Sequence, residues 1–237
     1  MSVVAVIAGA GSGTRLGLDG PKALVKLAGE PLIVHAVRSM AASGVVDRCV
    51  VTAPEEAAAL FQETLVRAGL DAIVVAGGST RQASVAAGLD AAGRAEFVLI
   101  HDAARALTPP EQIRRVVDAL REGHVAVVPA LPIVDTVKRV GKCAADGTEP
   151  VLETLDRSAL RGMQTPQGFD MAVVRSAHAK FSANAAEESS SAPDDAFLVE
   201  AAGYPVVLVE GSELAMKVTR PLDLRIAELL ASDLTVE

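Results

Sequence analysis

A glycine-rich segment near the N-terminus has the composition of an anion-binding loop. The apolar run 3–8 predicts a buried parallel strand, and it leads directly into Gly9, Gly11, Gly13, Gly17 and Gly20. Glycine permits tight turns and lets backbone N–H groups approach an anion closely. Arg15 lies within the segment and Lys22 just after it, which adds one forked and one compact cation. The ligand is therefore predicted to be polyanionic.

Two common glycine-loop motifs do not fit this segment. A P-loop needs Gly-Lys followed by Ser or Thr, and residues 9–22 contain no such triplet. A dinucleotide fingerprint needs Gly-x-Gly-x-x-Gly and a ribose-binding acid ~20 residues later, which matches poorly here. The remaining pattern, Gly-x-Gly-Thr-Arg-Leu-Gly with Pro21-Lys22 downstream, is similar to the loop of nucleotidyltransferases that couple a nucleoside triphosphate to a sugar phosphate. A surface turn with incidental basic residues is the alternative.

Other polar residues follow predicted strands, where ligands of an open parallel sheet gather. After a strand ending at Ala76, the segment 77–81 reads Gly-Gly-Ser-Thr-Arg, with Ser84 one helical turn later. Its N–H groups, hydroxyls and helix N-terminus suit a base, a ribose or a phosphate. Lys217 follows a late strand and is not distinctive by itself.

A third segment, His-Asp-Ala-Ala-Arg at 101–105, follows a strand predicted to end at Ile100. Asp102 beside a polyphosphate loop suits Mg²⁺, which typically takes one or two carboxylates together with phosphate and water oxygens. Arg105 would then bind a second anion. The alternative is that Asp102 caps a helix or pairs with Arg105.

The order of the predicted elements indicates an α/β fold. Strands are predicted at 3–8, 48–53, 71–76, 97–100, 124–128 and 205–209. Helices are predicted at 31–43, from 54, at 81–92, from 109 or 110 to about 122, and at 170–180, 194–201 and 221–230. Repeated strand–helix–strand units predict a Rossmann-like, mostly parallel sheet with helices on both faces.

The pattern changes after Pro129. Residues 131–140 and 151–155 are predicted to be extended and are joined by the polar segment 141–150, as in two strands connected by a loop. They form either an arm that leaves the body, at about 131–157 of a single domain 1–237, or an ordinary edge hairpin on the main sheet. The small, acidic and serine-rich stretch 182–193 predicts a mobile loop.

Composition limits the possible partners. The chain has 237 residues, a formal charge of -8 and no Trp, so its basic residues near the glycine loop are local features of an acidic protein. A long nucleic acid is therefore not expected as a partner. We expect a soluble cytoplasmic protein, without a membrane span or export signal. Two cysteines and four widely spaced histidines predict neither a disulfide framework nor a zinc site.

Taken together, the motifs resemble those of the 2-C-methyl-D-erythritol 4-phosphate cytidylyltransferase family of the non-mevalonate isoprenoid pathway. The matching segments, in the family's order from about Val3 to Leu230, are GAGSGTRLG…PK, GGSTRQAS, HDAAR, DTVKR, LDR, MQTPQGF, PDDA and MKVTRP. The resemblance implies an enzyme that depends on Mg²⁺ or on another divalent cation. It would join CTP and 2-C-methyl-D-erythritol 4-phosphate to give 4-diphosphocytidyl-2-C-methyl-D-erythritol and pyrophosphate.

The resemblance also implies a role for each matching residue. The catalytic residues would be Arg15, Lys22, Arg157 and Lys217, of which the first two stabilise charge at the α-phosphate. The nucleotide would be bound by Ala10, Gly11, Ser12, Gly13, Gly77, Gly78, Arg81 and Ser84. Asp102 would hold the metal, and the polyol phosphate would be bound by Asp102, Arg105, Thr136, Thr165 and the two late cations Arg157 and Lys217.

In this family the arm crosses to the partner subunit of a homodimer, so Thr136 and Arg157 are expected to act in the neighbouring active site. The chemistry agrees with a site made of cations. Attack of one phosphate on another brings two anions together and scarcely needs a general base, because the nucleophile is already ionised.

Three positions depart from the family's usual pattern. Ala8-Gly9-Ala10-Gly11 replaces Pro-Ala-Ala-Gly, which predicts a more flexible loop. Ala215 replaces an asparagine, which removes a side-chain anchor, and Pro193-Asp194 replaces Thr-Asp, which removes a hydroxyl cap. None of them removes a charged group.

Two other functions fit the same motifs. A ribitol 5-phosphate cytidylyltransferase shares the glycine loop, HDAAR and the arm, and would differ around Pro132 to Lys138. A nucleotide-binding regulator that has kept the fold without turnover belongs to a different class, and it would bind CTP without releasing pyrophosphate.

Overall fold

The computed structural model describes residues 1–11, 13, 20–185 and 191–234. The strands are β1 (Val3–Ala8), β2 (Lys26–Leu27), β3 (Glu30–Pro31), β4 (Arg48–Ala53), β5 (Ile73–Ala76), β6 (Phe97–Asp102), β7 (Ala126–Pro132), β8 (Lys138–Val140), β9 (Val151–Thr154), β10 (Arg161–Met163), β11 (Gln167–Asp170) and β12 (Val207–Glu210). The helices are α1 (Leu32–Ala42), α2 (Ala58–Arg67), α3 (Arg81–Ala92), α4 (Pro110–Arg121), α5 (Met171–Lys180), α6 (Asp195–Ala201) and α7 (Pro221–Leu234).

An eight-stranded sheet forms the centre of the described part of the chain. Its order is β10-β7-β11-β6-β1-β4-β5, and β12 pairs with β7. The pairs β1–β4, β1–β6, β4–β5 and β12–β7 are parallel, whereas β10 and β11 run antiparallel to their neighbours. The predicted mostly parallel sheet is therefore confirmed.

Both faces of this sheet are covered by helices, as predicted. Successive side chains of β1 point to opposite faces, so Ile7 joins the core beneath α1, α2 and α4. Val6 joins the core beneath α3, α5 and α6. Because both faces are buried, the strand is apolar along its whole length rather than alternating.

Several segments differ from the sequence expectations. β6 runs on to Asp102, so this residue ends a strand rather than following one. The short strands β10 and β11, and the small hairpin of β2 and β3, were not predicted. The helix predicted from Pro54 begins as a 3-10 turn at Glu55–Ala57. Of the predicted loop 182–193, residues 186–190 lie outside the described residues.

Strands β8 and β9 pair only with each other, as a separate two-stranded sheet, so they are not an edge hairpin of the main sheet. Every residue of the two strands is exposed. No described helix is long and apolar enough to cross a membrane.

Candidate functional site

The carboxyl ends of β1, β5 and β6 surround a cavity of about 620 Å³. Of the predicted site residues it is lined by Ala10, Gly11, Gly13, Lys22, Gly78, Arg81, Ser84, Asp102 and Lys217. A smaller cavity of about 150 Å³ shares Arg81, Asp102 and Lys217 and adds Arg105 and Thr165. The structure thus brings together residues from separate segments of the sequence.

The described part of the glycine segment packs closely against its neighbours. Gly9 donates its N–H to the Thr52 carbonyl at 2.9 Å, and a Cβ at Gly9 would lie 2.8 Å from that oxygen. Gly13 has a φ of +71°, and a Cβ there would lie 2.8 Å from the Cβ of Lys22. These two positions require glycine. Arg15 and Ser12 lie outside the described residues.

The second glycine segment borders the same cavity at the start of α3. Thr80 caps this helix by accepting the N–H of Ala83 at 3.0 Å. Ser84 accepts the N–H of Gly78 at 3.1 Å and donates to the carbonyl of Thr80 at 2.8 Å. A Cβ at Gly77 would lie 2.6 Å from the Cβ of Ala10, so the two glycine segments touch.

Asp102 lies between two cations. Its Oδ2 is 2.7 Å from Nζ of Lys217, and its Oδ1 accepts from Nε of Arg81 at 3.1 Å. Burial alone would raise the pKa of this carboxyl, but the charges of Arg81 and Lys217 hold it well below its ordinary value. Asp102 is therefore ionised at neutral pH.

Arg105 binds backbone carbonyls instead of forming the ion pair with Asp102 that was the alternative. Its guanidinium donates to the carbonyls of Ala215 at 2.6 Å and Met163 at 3.2 Å. Burial lowers the pKa of this guanidinium despite the nearby charge of Asp102. Arg105 thus ties the loop before Lys217 to β10 at the edge of the smaller cavity.

The segment 164–167 holds two of the surrounding loops through Gln164 and Thr165. The side-chain amide of Gln164 accepts the N–H of Ser212 at 3.0 Å and donates to the Ser212 carbonyl at 2.7 Å. It thus satisfies both backbone groups of Ser212, as a neighbouring β-strand would. Thr165 Oγ1 accepts the N–H of Asp102 at 3.1 Å and lies 2.9 Å from Nδ1 of His101. Burial lowers the pKa of His101 to about 4, so this imidazole is neutral.

Gln167 holds a third loop. Its Oε1 accepts the N–H of Ala196 at 3.1 Å, and its Nε2 donates to Asp194 at 2.9 Å. Asp194 also caps α6 by accepting the N–H of Phe197 at 2.9 Å. The helix therefore keeps a side-chain cap although the hydroxyl expected there is replaced by Pro193.

Sequence reasoning missed Asp195 and His178. Asp195 Oδ2 accepts from Nη1 of Arg81 at 2.8 Å, and its Oδ1 lies 2.9 Å from Nε2 of His178. The only signal in the sequence is the second acid of an Asp-Asp pair at a helix start. Nothing in it pairs residue 195 with residue 81.

Neither Thr136 nor Arg157 lines either of these two cavities of the single chain. Arg157 precedes β10 and donates to the carbonyl of Val134. Their predicted role in a partner's site is therefore a matter for experiment.

Comparison with known proteins identifies the family of this chain. The family model described as 2-C-methyl-D-erythritol 4-phosphate cytidylyltransferase matches residues 3–233. Relatives with that name from Streptomyces coelicolor and Nocardia farcinica are each 50% identical, over 94% and 97% of this chain and 83% and 94% of their own. The crystal structure of the enzyme so named from Thermus thermophilus is 36% identical with a TM-score of 0.79, covering 98% of this chain and 100% of that one. The chain belongs to the 2-C-methyl-D-erythritol 4-phosphate cytidylyltransferase family.

Proposed function

We propose that this protein joins CTP and 2-C-methyl-D-erythritol 4-phosphate and releases pyrophosphate. The observation that carries the proposal is the larger cavity, where Arg81 and Lys217 contact Asp102 and Lys22 lies in the same lining beside two glycine segments. Such an arrangement suits a triphosphate, since backbone N–H groups and cations both stabilise phosphate oxygens. The smaller adjoining cavity, with Arg105 and Thr165, would take the polyol phosphate.

The reaction is an in-line displacement. An oxygen of the polyol phosphate attacks the α-phosphorus, a new P–O bond forms, and the bond to the β-phosphate oxygen breaks as pyrophosphate leaves. A phosphate monoester has its second pKa near ~6, so the nucleophile needs no base at neutral pH. Lys22 and Arg15 would neutralise charge growing on the triphosphate, and Lys217 would leave Asp102 for the incoming phosphate.

Mg²⁺ fits the residues present. Among the described residues there is no cage of three or more His, Cys, Asp or Glu side chains. Asp102 offers one ionised carboxylate that lines both cavities. A site with one carboxylate suits an ion that takes its other ligands from phosphates and water, as Mg²⁺ does. Bound there, the ion would neutralise phosphate charge.

The proposal includes a homodimer in which Thr136 and Arg157 of one arm complete the partner's site. The proposal is supported by the exposure of the separate β8–β9 sheet and by the fact that neither residue lines the two cavities of its own chain. A cytoplasmic location, expected from the sequence, is part of the same proposal.

Pyrophosphate release tests the reaction. The protein is incubated with CTP, Mg²⁺ and either 2-C-methyl-D-erythritol 4-phosphate or ribitol 5-phosphate, and we expect turnover with the first. Preference for ribitol 5-phosphate would move the protein to that sister activity. CTP binding without release of pyrophosphate from CTP, with either polyol phosphate present, would identify a nucleotide-binding regulator instead.

Mixed dimers test the arm. Lys22→Ala and Arg157→Ala proteins should each be inactive, whereas unfolding and refolding them together should restore about a quarter of wild-type activity, since half of a random mixture is heterodimer with one intact site. If Arg157 acts within its own chain, every site in the mixture carries a defect and activity stays absent. Arg139→Ala, which removes an exposed ion pair with Glu153 on the arm, is the matched control and should stay active.

A further inference from the structure

The guanidinium of Arg81 is bound by two carboxylates from different segments of the chain. Nε donates to Asp102 at 3.1 Å and Nη1 donates to Asp195 at 2.8 Å. Arg81 lines both cavities, so its orientation affects the space that the substrates would occupy.

Asp102 and Asp195 differ in their other contacts and in their position relative to the cavities. Asp102 lines both cavities and also binds Lys217, so substrates and metal would compete for its oxygens. Asp195 lines neither cavity and is only 1% exposed. It is therefore the partner that can hold Arg81 while the contacts of Asp102 change.

His178 of α5 contacts the carboxylate oxygen of Asp195 that Arg81 does not bind. Its Nε2 lies 2.9 Å from Oδ1 of Asp195, and the side chain is 7% exposed. Burial would raise the pKa of Asp195, but the charge of Arg81 and the hydrogen bond from His178 hold it below its ordinary value. The buried carboxylate is thus ionised and uses one oxygen for each partner.

The backbone around these residues is also fixed. Gln82 donates to the carbonyl of Phe181 at 3.1 Å and accepts the N–H of Ala192 at 3.0 Å. Thr80 donates to the carbonyl of Ala185 at 2.6 Å. Thr80 and Gln82, the neighbours of Arg81, therefore bind both described ends of the connection between α5 and α6. These bonds hold Asp195, at the start of α6, near Arg81.

We propose that Asp195, supported by His178, is a positioning residue that holds Arg81 in place for CTP. This inference rests on the proposed function. Without Asp195, Arg81 is left with Asp102 as its carboxylate partner, so it turns towards the metal-binding oxygens and away from the nucleotide. CTP affinity should then fall more than affinity for the polyol phosphate.

The test is calorimetric CTP binding in the absence of the polyol, followed by steady-state kinetics. Asp195→Asn keeps the side-chain shape and removes the charge, and it should weaken CTP binding roughly tenfold or more. The KM for the polyol should change less than about threefold. Glu200→Gln removes an exposed charge from the same helix and should leave CTP binding unchanged.

A second pair of variants keeps the proposal testable if Asp195→Asn folds poorly. His178→Leu removes the hydrogen bond to Asp195 and should weaken CTP binding severalfold, whereas His178→Gln retains an N–H donor and should remain near wild type. Wild-type CTP affinity in Asp195→Asn, or equal effects of the two His178 variants, would overturn the inference. Equal losses for CTP and polyol would do the same. Failure of the wild-type protein to bind CTP would instead reject the proposed function.

Discussion

Asp102 and its neighbour His101 have opposite electrostatic environments although they are adjacent in β6. The carboxylate is stabilised by Arg81 and Lys217, whereas the imidazole is fully buried with Thr165 at its Nδ1. Its Nε2 is buried without a hydrogen-bond partner among the described residues. The histidine of this motif therefore supports the site as a neutral group.

The buried His101 predicts an acid-sensitive stability. The pKa of His101 is lowered from 6.5 to about 4 in the folded protein. Between these pH values this histidine is therefore protonated in the unfolded chain but neutral in the folded chain. Stability should fall as the pH drops from 6.5 towards 4, by a total of about 3 kcal/mol. Urea unfolding at three pH values, one above this window, one at its upper edge and one within it, measures this slope.

His101→Asn keeps a polar group near Nδ1 but cannot be protonated, so its stability should depend less on pH. His124→Asn, which changes an exposed histidine, should keep the wild-type slope. Identical slopes in all three proteins would refute the assignment to His101.

At the residue scale, the sequence predicted many of the residues that line the cavities but not how these residues pair. Glycines, cations and Asp102 after apolar runs are local signals, because the carboxyl ends of parallel strands meet at one edge. The partners of Asp102 depend on how distant segments pack. Arg105, its near neighbour in sequence, donates instead to the carbonyls of Ala215 and Met163, and Asp195, far from Arg81 in sequence, was missed.

Helix α3 lies unusually close to the sheet, at Gly88. A Cβ at this position would lie 2.4 Å from Cγ1 of Val6 and 3.1 Å from Cγ2 of Thr52. Both neighbours are fully buried and β-branched, so they have little freedom to move. This contact fixes the distance between α3 and the sheet, and with it the position of Arg81 at the start of the helix.

Gly88→Ala should therefore destabilise the protein. Alanine gains about 1 kcal/mol of helix propensity, but overpacking a buried contact costs typically about 1–3 kcal/mol, and at 2.4 Å we expect the upper part of that range and a net loss. Chemical denaturation measures the change, and Asp90→Ala, at an exposed position of the same helix, is the control.

Adding Val6→Ala to Gly88→Ala makes room for the new methyl group. The double variant should lose less stability than the sum of the two single variants. Additive losses would show that the contact with Val6 is not the cause.

Elements were predictable where apolar periodicity and helix-start signals agree. α4 begins at Pro110 with an acid in its first turn, and its bounds match the prediction closely. β10 and β11 have only three and four residues and include Gly162 and Gly168, so they lack an apolar alternation. Their antiparallel pairing comes from the tertiary fold.

At the scale of the whole molecule, the net charge of -8 contrasts with the cations around the cavity. The β8–β9 hairpin and the segment before it stand apart from this body and carry apolar side chains in solvent. Val134 is 83% exposed, Val151 60% and Leu152 63%. Burial of these side chains against a second chain would be favourable, as the proposed homodimer requires.

Replacing both Val151 and Leu152 by serine should therefore shift the protein from dimer to monomer and lower its activity. Light scattering after size-exclusion chromatography, over a range of protein concentrations, measures the mass. Leu229→Ser, which changes a similarly exposed leucine on α7, should leave the mass unchanged. A wild-type protein that is already monomeric would contradict the proposal.

Gln164 bonds to both backbone groups of Ser212, and a Cβ at Gly211 would lie 2.4 Å from its Oε1. A longer or branched side chain at either position would displace the loop that carries Lys217. Substitutions at positions 164 and 211 are therefore not independent of each other. A Cβ at Gly211 would also lie 3.1 Å from the carbonyl of Ala130, which stays in place when residue 164 changes. Among homologous chains, loss of the glutamine should therefore be tolerated more often than loss of the glycine, and the glycine should be lost mainly where the glutamine is lost too.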